Sequence, residues 1–362
     1  MLYQNTVFTV SGKYSYNPIF VKELQHILTD TIKNLNYTIM NTKMIFGIVV
    51  FLCITFVSFG QVNIDYTGAE LVLKYIATNN QDLKEDIINH PGYQHIINHS
   101  QKYSSNPVNE DNLRTALNGN GSSNGFDFTK VKEQKSQLTE IIQYLKDNEQ
   151  EIIDEYSKLC LKYLPADYKQ NLTVYYLIGS YDFGIASDNK ASLKIDYPQF
   201  MNNMNELKFY LAHELFHVGF ENYQPLPDIF KAKTVGDLKE MVMSFTMNEG
   251  LATLTPYHKR IEKNETSDYD YTVLLDSVKL EQAIQQFNQV FDYMNENLDK
   301  EITNEILGTI LGPLSGGRLW YIVGCYMGLK IEEHYGPEKI QELIQEGPEK
   351  FFEAYYAIDD KK

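Results

Sequence analysis

His213-Glu214-Leu215-Phe216-His217, inside NELKFYLAHELFHVGFENY (residues 205–223), is the stretch on which the reading of this chain turns. At about 100° per residue, Glu206, Tyr210, His213, Glu214 and His217 fall on one stripe of a helix spanning 203–220. Leu207, Leu211, Leu215 and Val218 lie on one flank of that stripe, and Phe209, Phe216 and Phe220 on the other. The histidines therefore occupy a polar groove with apolar walls, unlike the polar face of a simple surface helix. Two histidines four residues apart project side by side, close enough for both imidazoles to bind one Zn²⁺. A glutamate directly after the first is turned off the metal but stays near it, where it can act as general base on a metal-bound water. With 8 His in 362 residues, such a pattern arises by chance in about one chain in a hundred.

A catalytic zinc takes three protein ligands and keeps one position for water. An extended HExxHxxGxxH pattern would need Gly at 220 and His at 223, where the chain has Phe220 and Tyr223. The third ligand is expected from a following helix, 238–258, which contains Asn248-Glu249-Gly250-Leu251-Ala252. The small residues beside Glu249 would let this helix approach the first. Glu221 is too near on the same helix, and His258 follows Pro256, where a loop is expected.

Before the globular part, Lys43 precedes the apolar run MIFGIVVFLCITFVSF (44–59), which ends on Ser58 and Gly60. That is the layout of a cleavable secretory signal, residues 40–60, with Met40 as the expected start and residues 1–39 as a mis-called extension. The alternative is an uncleaved anchor at 44–59, the only case in which a membrane is a partner. Residues 61–362 form the expected globular part, with a helical lobe (61–165) and a lobe carrying the motifs (166–362) as one possible division. Cys160 and Cys325 sit in helical contexts and read as buried free thiols. The net charge of -16 lacks the basic footprint that nucleic acid requires.

The fold expected is mostly α with a small antiparallel β-sheet (α+β). Strands are expected at 172–180 and 191–200, joined as a hairpin by DFGIASDNK, and LNGNGSSNGF (117–126) as a flexible loop. Everything after 201 reads as helix, with breaks near Pro225-Leu226-Pro227, Pro256, Gly312-Pro313 and Gly336-Pro337. His95-Ile-Ile-Asn-His99 repeats the histidine spacing without the glutamate and reads as an ordinary helix face. In SGGRLWYIVGCYMG (315–328), Arg318 and Tyr321 lie one turn apart, and either could donate a hydrogen bond to an oxyanion. With 27 Tyr in the chain, a structural role for Tyr321 is the commoner case.

HELFH followed by NEGLA resembles the gluzincins, the thermolysin-like and aminopeptidase-like zinc peptidases with HExxH on one helix and a glutamate on the next. The secretory start, Pro91-Gly92-Tyr93, HELFH, NEGLA and the YxxGxxMG segment at 321–328 are more narrowly similar to an uncharacterised family of secreted zinc-dependent peptidases. The resemblance implies a zincin-like active-site helix pair and one Zn²⁺ per chain held by His213, His217 and Glu249. It further implies Glu214 as base, Tyr321 as an oxyanion donor, a peptide or protein substrate, and a substrate-pairing edge strand at 191–197. Three features depart from it. The spacing from His217 to Glu249 is longer than in thermolysin. Thr253 stands where an aspartate orients a histidine, and no GxMEN exopeptidase loop occurs. The alternative function is a non-catalytic secreted or membrane-anchored helical binding protein with a structural or absent metal; zinc acting on a non-peptide amide is a third.

Overall fold

The computed structural model describes residues 61–228 and 230–359, so the signal segment expected at 40–60 and the extension at 1–39 lie outside the described residues. The chain runs β1 (Gln61–Asp65), α1 (Thr67–Thr78), α2 (Gln81–Ile88), α3 (Pro91–Tyr103) and α4 (Glu110–Thr115). A short ribbon, β2 (Ser122–Ser123) with β3 (Phe126–Asp127), replaces the flexible loop expected at 117–126. Next come α5 (Val131–Asp147), α6 (Glu149–Leu161), β4 (Asn171–Leu177), β5 (Gly184–Ser187) and β6 (Lys190–Lys194). The remainder is helical: α7 (Pro198–Asn202), α8 (Met204–Glu221), α9 (Val235–Lys263), α10 (Tyr269–Leu274), α11 (Ser277–Glu296), α12 (Asn304–Leu311), α13 (Leu319–Tyr335), α14 (Pro337–Glu346) and α15 (Pro348–Asp359). The fold is mostly helical with a small sheet, and no described helix is long and apolar enough to cross a membrane.

Side-chain chemistry sets the ends of these helices. Asn203 accepts the Asn205 amide at the start of α8, and Asp268 accepts that of Asp270 at the start of α10. Thr234 and Asp237 cap each other's backbone amides at the start of α9. Each satisfies an N–H that has no acceptor within its own helix.

The sheet is mixed, in the order β1-β4-β6-β5, and this corrects the antiparallel expectation. β4 pairs parallel with both β1 and β6; only β5 and β6 run antiparallel. The hairpin turn is Asp188-Asn189, two residues at positive φ, the backbone that favours a tight two-residue connection. The segment expected to bridge two strands is thus itself the outer strand. β4 is buried along most of its length, as suits a strand covered on both faces. α1 and α3 pack on the sheet, and so does α8, against β5 and β6. The position expected for an edge strand, 191–197, is consequently interior, and the edge beside α8 belongs to β5.

A second correction concerns Pro256. No break occurs there: α9 passes through it, and His258 is helical rather than in a loop. A proline inside a helix removes one amide and disturbs the carbonyls one turn back. The carbonyl left without its helical donor is that of Ala252; at the next residue the Tyr271 hydroxyl donates to the Thr253 carbonyl at 2.8 Å. His258 meets Glu332 on α13 at 2.9 Å, where Lys162 and the Tyr163 hydroxyl also bind. Cys160 and Cys325 are both buried and unpaired.

The glycine of NEGLA acts differently from the expectation. A Cβ on Gly250 would lie 2.3 Å from the Gly324 carbonyl carbon, and one on Gly324 only 2.1 Å from the Thr246 oxygen. The pair therefore brings α9 against α13, not against α8. That contact seats the start of α13, with Arg318 and Tyr321, beside the Glu249 turn.

Candidate metal centre

α8 is buried around most of its circumference, polar stripe included: Glu206 is 1% exposed, Glu214 4% and His217 8%. Burying such groups is costly unless each finds a partner, so their partners define the site. His213 Nε2 and His217 Nε2 face each other at 3.0 Å. Glu249 Oε2 comes from α9 to within 3.2 Å of His217 Nε2 and 3.6 Å of His213 Nε2. One donor atom from each of the three residues fits within 4.8 Å. His217 Nδ1 lies 2.9 Å from Asn248 Oδ1, so Nδ1 carries a hydrogen, and in the neutral ring Nε2 is left with its lone pair toward the cluster.

Two imidazole nitrogens and a carboxylate oxygen converging this closely repel one another unless positive charge lies among them. Burial alone would disfavour the His217 cation, yet the charge and hydrogen bond of Glu249 overcome it and raise His217 to about 9. Burial holds His213 down near 4. Glu249, although buried, is kept far below the usual carboxylate range by the charge of His217 and bonds from both histidines. Nitrogen and carboxylate donors at this spacing are the set a tetrahedral zinc accepts, so the residues fit that ion.

Glu214 lies beside the three donors without joining them. Its carboxyl rests on β5, where a Cβ at Gly184 would sit 2.4 Å from Oε1, so a side chain there would push the carboxyl aside. Burial pushes Glu214 up to about 8; the charge of His217 lowers it, while Glu249 and Asp182 add to the rise. A carboxyl poised near neutrality is suited to taking and returning protons.

Tyr321 lies beside His213. Its ring is near-parallel to that of His213, with centroids 6.4 Å apart, and the Arg318 guanidinium lies 3.8 Å over it. Burial raises the Tyr321 hydroxyl well above its usual value, with Glu249 adding to the rise, so it stays protonated and able to donate. Arg318 gives Nε and Nη2 to Asp270 at 2.6 Å each, which engages its fork. It also holds a left-handed backbone, φ 56°, costly for a side chain of this size. Arg318 thus backs the Tyr321 ring, with its charge already paired.

Several neighbours had no signal in the sequence. Asp182 lies half-buried in the β4–β5 loop, close enough for its charge to act on Glu214 and Tyr321. Tyr181, next to it, shares a 2.6 Å hydrogen bond with His99. The other histidine of HIINH, His95, is buried between the Ser192 and Ser187 hydroxyls at 2.8 and 3.0 Å, a structural role. Glu206 and Arg260 pair through bonds of 2.7 and 2.8 Å and tie α8 to α9 behind the histidines. The helical projection had already set Glu206 on the stripe of His213; its partner lay too far along the chain to be seen.

Fold and site together define a helical chain with a buried two-histidine, one-carboxylate centre and a separate buried carboxyl beside it. The chain belongs to the family described as "Putative zinc dependent peptidase (DUF5700)", which matches residues 85–362. No curated protein and no solved structure matches it.

Proposed function

We propose that the chain is a zinc-dependent peptidase of gluzincin type, with His213, His217 and Glu249 as ligands of one Zn²⁺ and Glu214 as general base. The observation that carries this reading is the convergence of three donors from two helices within 4.8 Å, with the Glu214 carboxyl beside them and not among them. α8 and α9 then form the zincin-like helix pair. Bound zinc would supply Lewis-acid polarisation of the substrate carbonyl and of a water. In its ionised form Glu214 takes the water's proton and delivers it to the leaving amine. Asn248 keeps His217 in the tautomer that ligates. Tyr321, held protonated and braced by Arg318, donates to the oxyanion. Because β5 is the edge strand and abuts Glu214, it is the strand available to an extended substrate backbone.

Secretion is part of the proposal and rests on the residue pattern at 40–60 alone. The peptidase reading is tested by metal removal. Hydrolysis of a generic peptide mixture by the purified chain is expected to disappear on chelation and to return with one equivalent of zinc. Hydrolysis that survives complete removal of metal would overturn it.

A further inference from the structure

His213 and His217 are held in different ways. His217 Nδ1 has Asn248, whereas His213 Nδ1 makes no hydrogen bond to protein among the described residues. His213 instead lines a small cavity walled by Thr253 and Arg260 of α9 and by Asp268 and Asp270 at the start of α10. About 10 Å³ of it is open to the centre of a water, room for one molecule. Two buried polar atoms of that wall, Thr253 Oγ1 and Arg260 Nε, have no hydrogen-bond partner. Such orphans call for an explanation, because an unpaired buried donor or acceptor costs free energy. Asp270 is occupied by the two bonds from Arg318. Asp268 is less so: Oδ1 takes the Asp270 amide at 3.1 Å, and Oδ2 takes only the Tyr210 hydroxyl at 3.2 Å.

We propose that Asp268 is a positioning residue for His213, acting through one water held in this cavity. The water accepts from His213 Nδ1–H and Arg260 Nε–H and donates to Asp268 Oδ2 and Thr253 Oγ1. Its four partners complete its hydrogen bonding, and His213 is left with its Nε2 lone pair turned to the metal. The inference rests on the reading of His213 as a zinc ligand.

The test compares zinc affinity and the visible spectrum of the cobalt-substituted protein in wild type and Asp268→Asn. Asparagine keeps an oxygen for the Asp270 amide and places an NH₂ where the water needs an acceptor. Zinc binding is expected to weaken about ten- to a hundredfold, with an altered cobalt spectrum and a metal-free chain that stays folded, its melting lowered only by the lost acceptor of the Tyr210 hydroxyl. Adding Thr253→Asp in the same background puts a carboxylate into the cavity in place of the water, and is expected to restore most of the affinity. An Asp268→Asn protein with wild-type affinity and spectrum overturns the inference, as does a folded double variant that recovers nothing. Should Thr253→Asp prevent folding, the cobalt spectrum of Asp268→Asn decides. A wild type that binds no zinc refutes the metal-centre reading itself, and this inference with it; that failure shows before any variant is made.

Discussion

Glu214→Gln is expected to lower kcat for peptide hydrolysis by about 10³-fold while leaving one zinc bound per chain. The side chain is not among the three converging donors, and glutamine has the same shape, so it fits the space that Gly184 leaves beside the strand. What is lost is the ability to accept a proton from water. KM is expected to change little, because the carboxyl acts in the chemical step. Loss of zinc in this variant would make Glu214 a ligand, and retained hydrolysis would remove it as base. Either outcome is read from metal analysis and steady-state kinetics on one preparation.

Arg260→Met is expected to destabilise the fold by about 3–5 kcal/mol, because it leaves the Glu206 carboxylate buried without its counter-ion. Arg260 and Glu206 are 2% and 1% exposed, and the guanidinium is sandwiched between Phe209 and Tyr271 at 4.5 and 4.4 Å. Little solvent is present to screen the unpaired charge. The double variant Glu206→Leu/Arg260→Met exchanges the pair for apolar side chains and is expected to recover much of the loss. Urea unfolding of the wild type and the two variants measures both effects. A cost below about 1 kcal/mol for Arg260→Met would show that the pair does not join α8 to α9.

The parts of the site that could be read from the sequence are those set by helical spacing. His213, Glu214 and His217 share a face because four residues make about one turn, and Glu249 stood out as the acid in the next helix. Asn248 was visible as a neighbour of Glu249, though its bond to His217 was not. Contacts between distant segments left no local trace: Glu206 with Arg260, Asp270 with Arg318, and the Asp182 loop beside Glu214. The strand order failed for a similar reason. β4 and β6 looked like hairpin partners because they are close in sequence, but the chain first passes to the far edge as β5 and returns between its neighbours. Pro256 misled because α9 is held by its buried packing on both sides of the proline, which outweighs the local cost. Gly250 carried a real signal of close approach, assigned to the wrong helix.

Zinc X-ray absorption on the purified wild-type chain is expected to show one zinc per chain bound by two imidazole nitrogens and carboxylate or water oxygens at about 2.0–2.2 Å, with the signal lost in Glu249→Ala. A protein that holds no zinc, or one whose zinc keeps the same ligands after Glu249→Ala, would contradict the metal-centre reading.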